Sequence, residues 1–211
     1  MITAYLQLLL KGYRPQLGSE AEVCVGFIAD GAKRMRELLS ALLDYTAIDI
    51  NILDETETVD LNLVFADVNK SLKRSIDESR AVVLSGPLPV VQGYRSHFVQ
   101  LVQNLISNAI KYCCKKRLPS IQITAEIRDG LWRIAVVVNG VGIAAQYHEK
   151  IFGVFKRLHG KAIPGTWIGL AICRRVVERY NGRIWVESEP DRGATFYFTL
   201  PIAKPESADS K

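Results

Sequence analysis

Several features that define common protein classes are missing from this sequence of 211 residues. No apolar run approaches the roughly 18 to 20 residues that a membrane helix needs, and the start MITAYLQLLLKGYRP lacks the basic region and cleavage site of a signal peptide. The four cysteines, Cys24, Cys113, Cys114 and Cys173, show no metal-ligand spacing, which favours reduced, mostly buried thiols. Neither a Walker loop nor a Rossmann GxGxxG is present. We therefore expect a cytoplasmic protein that makes no membrane contact itself.

The composition is that of a globular protein with an uneven distribution of charge. Apolar residues make up 48% and charged residues 23%, which excludes a wholly disordered or collagenous chain. Residues 1–60 carry 5 Lys and Arg against 10 Asp and Glu, whereas residues 61–211 carry 22 against 12. A basic half suits a polyphosphate, nucleic acid, a membrane or plain solvation. The run Lys115-Lys116-Arg117 has no interleaved aromatic platform, so we expect no nucleic-acid partner.

Residues 1–46 predict a helical hairpin. In its second helix, from about Glu20 to Thr46, apolar residues repeat with the 3.5-residue period of a coiled-coil seam. The seam consists of Cys24, Ile28, Gly31, Met35, Leu38, Leu42 and Tyr45. It must be buried either by a second copy of the hairpin in a four-helix bundle or by the rest of this chain. We predict a homodimer through the hairpin.

Beyond a polar linker at 47–57, strand and helix patterns alternate up to residue 201. Strands are predicted at 58–61, 81–84, 121–128, 132–138, 183–188 and 194–200, and helices at 62–80, 96–114 and from the 165–170 segment to residue 180. Asn62 is the predicted cap of the first of these helices. Asp129-Gly130 predicts a tight hairpin turn, and Asn181-Gly182 a left-handed helix end. We expect an α+β protein, a two-layer α/β sandwich with helices on one face of a mixed sheet, preceded by the helical hairpin and followed by a polar tail at 202–211.

Three clusters carry chemistry. Asn104, Asn108 and Lys111 or Tyr112 recur at helical spacing on one face, where amide oxygens can ligate Mg²⁺ and an ammonium can meet phosphate. The second cluster, Asn139-Gly-Val-Gly-Ile143, follows a strand, and its glycines allow close backbone approach to a ligand. The third, Gly165-Thr-Trp-Ile-Gly169-Leu170, opens a helix, whose first amides favour phosphate oxygens. Each cluster alone is a weak signal, but their order along the chain is informative.

In this order the clusters resemble the C-terminal part of a bacterial sensor histidine kinase, whose catalytic domain has the HATPase_c (GHKL, Bergerat) ATP-binding fold. Residues 58–201 resemble that domain, and residues 1–46 resemble the latter part of the dimerisation and phosphotransfer hairpin. The matching motifs are NLISNAIKY (104–112) for the N box, NGVGI (139–143), IFGVFKRLHG (151–160), PGTWIGLAI (164–172) and Gly193-Ala-Thr-Phe196.

The resemblance implies a role for each matching residue. Asn108 would ligate Mg²⁺ that bridges the phosphates of ATP, with Asn104 beside it, Lys111 on phosphate and Tyr112 lining the pocket. The adenine side would be framed by Asn139, Gly140, Gly142 and Ile143, with Thr195 beneath the base. Gly165, Thr166, Gly169 and Leu170 would shape the end of a lid and the phosphate site. Phe152 and Phe155 would anchor this lid or pack as ordinary core residues, and Lys156 and Arg157 would reach the γ-phosphate or remain solvated.

Three departures from the family pattern limit what the resemblance implies. The aspartate that accepts a hydrogen bond from the adenine amino group is replaced by Val138, which predicts weak ATP binding or relaxed base specificity. Trp167 stands where the second glycine box has glycine. The three histidines, His97, His148 and His159, lie away from the helix that carries the family's phosphoacceptor, so no catalytic residue is assigned and the acceptor is expected upstream of this chain.

Two functional hypotheses follow. The first is the ATP-binding module of a two-component histidine kinase that phosphorylates an upstream histidine for relay to a response regulator receiver domain, with impaired nucleotide binding. The second is a degenerate pseudokinase that serves as a dimerisation and partner-docking module without turnover. Another GHKL ATPase, such as a chaperone or an anti-sigma kinase, does not explain the helical hairpin.

Overall fold

The structure is a computed structural model that describes residues 5, 8, 11–12, 18–50, 56–114, 117–154 and 168–203. Its helices are α1 (Ser19–Ile50), α2 (Leu61–Ser71), α3 (Lys73–Ser79), α4 (Arg95–Lys111) and α5 (Gly169–Arg179). Its strands are β1 (Glu57–Asp60), β2 (Val82–Ser85), β3 (Val90–Gly93), β4 (Ser120–Arg128), β5 (Leu131–Val138), β6 (Ile184–Ser188) and β7 (Ala194–Pro201). Among the described helices, none combines the length and the apolar content that crossing a membrane requires.

Five strands form a mixed sheet in the order β2-β4-β5-β7-β6, in which β2 runs parallel to β4 and the other pairs are antiparallel. Strands β1 and β3 form a separate antiparallel pair. The predicted hairpin between β4 and β5 is confirmed. Asp129 and Gly130 both have positive φ, 52° and 74°, as a two-residue hairpin turn with the right twist requires.

One face of the five-stranded sheet carries the core. In β7 the buried residues alternate with half-buried ones, so that Ala194, Phe196 and Phe198 share a face, as expected for a strand covered on one side. Val102 and Leu105 of α4 meet Phe198 and residues of β4 and β5 around a small internal void. The predicted two-layer α/β sandwich, with helices on one face of a mixed sheet, is therefore confirmed.

The structure corrects two local predictions and adds one strand. The cap of α2 is Asp60, not Asn62, because the Asp60 carboxylate accepts the Asn62 N–H at 2.8 Å. The Asn62 side chain instead bonds both the N–H and the carbonyl of Leu88. The predicted helix at 62–80 is divided at Leu72 into α2 and α3. Strand β3 was not predicted, because its four residues follow directly on a proline-rich turn and leave too short a pattern to recognise.

Helix α1 continues four residues beyond its predicted end at Thr46, to Ile50. Its C-terminal part packs on the α/β domain, where Ile48 is buried and Leu38 and Tyr45 are partly buried against the core. Other seam residues stay exposed in the single chain, among them Ile28 at 53% and Met35 at 59%. One part of the seam thus packs on the α/β domain of this chain, and another part stays uncovered. Most of the first predicted helix lies outside the described residues.

Candidate nucleotide-binding site

Helix α4 places the first group of predicted site residues on one face. Its apolar residues, such as Leu101, Leu105 and Ile106, are buried. Asn104, Asn108 and Lys111 are spaced by four and then three residues, so their side chains share one face of the helix, next to the buried one. All three are only partly exposed. Two carboxamides and an ammonium on one partly exposed face offer amide oxygens and a positive charge to a ligand.

The first glycine turn is bonded directly to the end of α4. The N–H of Val141 donates to the carbonyl of Tyr112 at 3.1 Å, and Cys113 forms an isolated β-bridge with Gly140. A Cβ at Gly140 would lie 2.8 Å from the Tyr112 oxygen, so only glycine permits this approach. The turn therefore holds Lys111 and Tyr112 next to the end of β5.

The second half of this turn is held by the last hairpin. Gly142 has φ +71°, and a Cβ there would lie 1.9 Å from the carbonyl oxygen of Glu189. The Ile143 N–H donates to the Ser188 hydroxyl at 2.8 Å, and that hydroxyl donates to the carbonyl of Gly193 at 2.5 Å. Ser188 was not predicted to belong to the site. The sequence signal that could have identified Ser188 was its position on the inward face of β6, because a polar residue among buried apolar ones needs hydrogen-bond partners.

Helix α5 begins against the polar face of α4. A Cβ at Gly169 would lie 3.0 Å from the Asn104 side-chain oxygen, so glycine allows the two helices to meet here. The N-cap residue is Ile168, fully buried, and no described side chain caps the first amides of α5. Uncapped amides at a helix start are donors for ligand oxygens. Leu170 is partly buried against the core.

The charge of this face comes from Lys111, whose ammonium nitrogen lies 5.1 Å from the centre of the Tyr112 ring. Burial lowers the pKa of Lys111, and Glu37 of α1 acts in the opposite direction. Attraction to phosphate is stronger in such a partly desolvated place than in water. Among the described residues, no three His, Cys, Asp or Glu side chains are grouped to hold a metal ion, so Mg²⁺ would depend on amide oxygens and phosphate. The donor set fits a magnesium-bound polyphosphate.

The sequence profile of the family described as histidine kinase-, DNA gyrase B-, and HSP90-like ATPase matches residues 93–204. The chain belongs to this family. The matched stretch contains α4, the glycine turn after β5 and the whole of α5, so the geometry above is that of a histidine kinase-like ATPase domain.

Similarity to sensor kinases extends beyond this domain. The chain is 37% identical to the phytochrome-like protein Cph1 of Synechocystis over 202 residues, which is 95% of this chain and 27% of that protein. The fold matches full-length ShkA in complex with AMPPNP, with a TM-score of 0.72 and 22% identity over 97% of this chain and 43% of that one. It also matches histidine kinase ThkA in complex with the response regulator TrrA, with a TM-score of 0.66 and 22% identity over 94% and 57%. The chain thus spans about a quarter of the length of its phytochrome-like relative.

On the predicted adenine side the histidine kinase-like ATPase domain is aliphatic. Val138 is buried and pairs across the sheet with Ala194 of β7 and Ile121 of β4. None of these three side chains can accept a hydrogen bond from a base.

Thr195 does not lie beneath this surface. It pairs with Val137, which is 42% exposed, and alternates with the buried Ala194 and Phe196, so its side chain is on the opposite face of the sheet from α4. The residue of β7 that faces the helices here is Ala194. The strand period of two, counted back from Phe196, would have indicated this from the sequence.

The Asn139 side chain is engaged within the protein. Its amide oxygen accepts from the Ser120 N–H and its amide nitrogen donates to the Leu118 carbonyl, both at 2.8 Å. It fixes the loop before β4 to the end of β5 and has a structural task beside the predicted one. Phe152 is buried in the core. Five predicted ligand-contacting residues and one lid aromatic lie outside the described residues, namely Lys156, Arg157, Gly165, Thr166, Trp167 and Phe155.

We expect Gly142→Ala to abolish the glycine turn's contact with the last hairpin and to weaken nucleotide binding at least tenfold. The added Cβ would collide with the Glu189 carbonyl and also meet an unfavourable positive φ. Gly130→Ala is the matched control, because Gly130 has φ +74° but nothing within 4 Å of an added Cβ. Nucleotide titrations of both variants check this, and equal losses in the two would contradict the role of the close approach.

Proposed function

We propose that this chain is the catalytic ATP-binding module of a two-component sensor histidine kinase, which transfers the γ-phosphoryl group of ATP to a histidine outside these 211 residues. The observation that carries the proposal is the approach of Gly169 to Asn104 on the face that also holds Asn108 and Lys111. It joins polar side chains, an ammonium and uncapped helix amides in one place, and these groups together suit a triphosphate.

In this proposal the protein acts mainly by positioning and by stabilising charge. The Asn108 side-chain oxygen would hold Mg²⁺, and the first amides of α5 would bind phosphate oxygens. When bound, Mg²⁺ neutralises part of the phosphate charge that develops during transfer. Lys111 would orient a phosphate oxygen from the end of α4, and Tyr112 would exclude water beside it.

The described histidines support an acceptor elsewhere. His97 is buried, and its ring nitrogen Nδ1 lies 2.8 Å from the Tyr180 hydroxyl. His148 has Nε2 3.0 Å from the carbonyl oxygen of Ile143. Both are engaged in holding the fold, and neither is on α1. His159 lies outside the described residues.

The partners follow from the same proposal. A response regulator receiver domain would take the phosphoryl group, since histidine kinase ThkA, which has the same fold, forms a complex with the response regulator TrrA. A cytoplasmic location is part of the proposal, because the ATP and the regulator that it needs are found there. A second copy of the chain would cover the exposed part of the α1 seam.

We expect the chain to transfer radiolabelled γ-phosphate to a complete histidine-bearing hairpin of a sensor histidine kinase, supplied separately. Asn108→Ala should lower the transfer rate about 100-fold or more, since it removes a group that stabilises charge in the transition state. Ser107→Ala, an exposed neighbour on the same helix, is the control. Absence of labelling by the unaltered chain would overturn the kinase proposal in favour of the next one.

The second candidate is a degenerate kinase that serves dimerisation and partner docking without turnover. The observation that favours it is the aliphatic surface of Val138, Ala194 and Ile121, which offers the base no acceptor. A hydrogen bond to a charged group contributes roughly 1.5–3 kcal/mol, or about 10- to 150-fold in affinity. Loss of this one hydrogen bond would weaken nucleotide binding without abolishing it. The same surface therefore also fits a kinase that binds ATP and GTP with similar affinity.

We expect the unaltered chain to bind ATP and GTP within about threefold of each other, and Val138→Asp to shift the ratio toward ATP by roughly 10- to 150-fold. The new carboxylate would accept from the adenine amino group and repel the guanine oxygen. Val137→Asp is the matched control, since Val137 precedes it on the same strand and points to the other face. Val138→Asn provides a neutral acceptor if a buried carboxylate unfolds the domain, and an unchanged ATP to GTP ratio in both position-138 variants rejects the hypothesis.

We expect Met35→Glu to dissociate a homodimer, because it places a charge on the exposed apolar stretch formed by Ile28, Met35 and Leu42, whose exposures are 53%, 59% and 40%. A charge buried without a partner destabilises an interface strongly. Light scattering measures the mass at micromolar concentration. Lys33→Glu, an exposed position on another side of α1, should leave the mass unchanged, and a monomeric unaltered chain would contradict the homodimer.

A further inference from the structure

Helices α4 and α5 contact each other in antiparallel fashion at three levels. At the site end, Gly169 meets Asn104. In the middle, the buried Cys173 thiol donates to the Leu101 carbonyl at 3.8 Å. At the far end, the Tyr180 hydroxyl lies 2.8 Å from His97 Nδ1 and accepts the N–H of Tyr94 at 2.9 Å. Gly169 and Cys173 of α5 are small enough to permit the first two contacts, and the Tyr180 hydroxyl makes the third.

Tyr180 is tightly seated at this far end. Its ring stacks on Phe98 with centroids 5.0 Å apart, and a Cβ at Gly93 would lie 2.8 Å from it. Tyr94 is the N-cap residue of α4 but makes no side-chain cap bond. The Tyr180 hydroxyl, directly after the end of α5, therefore accepts a hydrogen bond from the backbone N–H of Tyr94 at the start of α4. This N–H has no acceptor within its own helix.

We propose that the Tyr180 hydroxyl is a positioning group for the nucleotide site, because it fixes the far ends of the two helices whose near ends carry Asn104 and Gly169. The inference rests on the proposed ATP-binding function. At 1.5 Å of rise per residue, Gly169 lies about 6 Å and Tyr180 about 10 Å along α5 from Cys173. A pivot at Cys173 thus converts a 1 Å displacement at Tyr180 into roughly 0.6 Å at Gly169, the point where phosphate would be held.

The hydrogen-bond roles make the contact depend on a neutral His97. The Tyr180 oxygen accepts from the Tyr94 N–H, and its own proton is donated to Nδ1 of His97 in the tautomer that leaves this nitrogen unprotonated. A protonated ring would present N–H to O–H and break the contact. The Tyr94 ring packs edge-on against the His97 ring, with the two centroids 5.2 Å apart. His97 also lines a cavity of about 700 Å³, together with Asp44 of α1 and Arg95 of α4.

The pH dependence has a definite sign. Burial and then the Arg179 guanidinium lower the pKa of His97 from its ordinary value of 6.5. A lowered pKa keeps the neutral ring, and with it the contact, at and above pH 6.5. The contact is lost as the pH falls below 6.5 through the lowered pKa. Phosphate groups of the nucleotide titrate in the same range, so variants must be compared with the unaltered chain at each pH.

Binding of the β,γ-imido analogue of ATP with Mg²⁺ by the full chain tests the proposal at pH 7.5 and at a series of lower pH values that spans the titration of His97. Tyr180→Phe keeps the ring and removes the hydroxyl, and we expect it to weaken binding about fivefold at pH 7.5, the lower end of coupling between distant sites. Its affinity relative to the unaltered chain should rise toward one below the pH at which His97 takes up a proton, which an NMR titration of the histidine ring locates. Tyr197→Phe, whose ring stacks on Trp185 on the opposite face of the sheet, is the control and should bind as the unaltered chain does.

His97→Asn supplies a second measurement if Tyr180→Phe fails to fold. The asparagine oxygen can accept the Tyr180 proton in place of Nδ1 but does not titrate. This variant should match the unaltered chain at pH 7.5 and bind about fivefold more tightly than it below the pH at which the NMR titration shows His97 of the unaltered chain to be protonated. Binding by Tyr180→Phe within twofold of the unaltered chain at pH 7.5 would overturn the proposal, and so would a pH profile of His97→Asn identical to that of the unaltered chain across the measured titration of His97.

Failure of the ATP-binding function itself gives a different result. If the unaltered chain binds no nucleotide, hydrogen exchange of the free proteins still reports on the two helices. Faster exchange at both Tyr94 and the first turn of α5 in Tyr180→Phe would support the positioning role. Faster exchange at Tyr94 alone would overturn it, since the hydroxyl would then hold only its own end of α4.

Discussion

The close packing of α4 on α5 is the constraint on which the rest of the site depends. Asn104, Asn108 and Lys111 are ordinary helix residues until another element comes near enough to share a ligand with them. Gly169 supplies that approach, because any side chain there would meet the Asn104 carboxamide. Among the described residues no side chain caps the start of α5, so that its first amides lie beside Asn104 with donors available to a ligand. One steric condition, met by one glycine, thus brings a helix face and a helix start together.

The glycine turn after β5 also depends on close approach, here between two backbone segments and not between a glycine and a side chain. Gly140 approaches the last carbonyl of α4, and Gly142 approaches the hairpin between β6 and β7. Ser188 then ties the turn to Gly193 through a hydroxyl that both accepts and donates. These contacts explain why the motif residues are dispersed along the chain yet lie together. Each glycine marks a place where two backbone segments touch, and each touching pair lies at an end of α4, of β5 or of the last hairpin.

The sequence was sufficient to predict the layers, the β4–β5 hairpin and the helices that carry the site, because these depend on local periodicity and on turn residues. It was not sufficient where a polar group chooses between partners that are distant in the chain. Asn62 has the right type for a helix cap, but Asp60 takes that role and Asn62 bonds Leu88, 26 residues away. Thr195 was assigned from its motif, although the alternation around Phe196 places it on the outer face. The division of the α1 seam could not be predicted, since its period is the same whether a residue such as Tyr45 packs on this chain or on a copy of it.

The two sides of the site are constrained differently, and this difference bears on how the family chemistry is used. The phosphate side combines geometry and charge, since Asn104, Gly169 and Lys111 each limit where a polyphosphate can lie. The base side has Val138 between Ile121 and Ala194, a surface that can pack against a ring but cannot distinguish its polar edge. Binding energy for a nucleotide would therefore come mainly from its phosphates and from apolar contact, both of which all purine nucleotides share. In the proposed function, a site of this kind would select for a magnesium-bound triphosphate more strongly than for adenine. Its affinity would then depend on the relative placement of α4 and α5 more than on any single contact to the base.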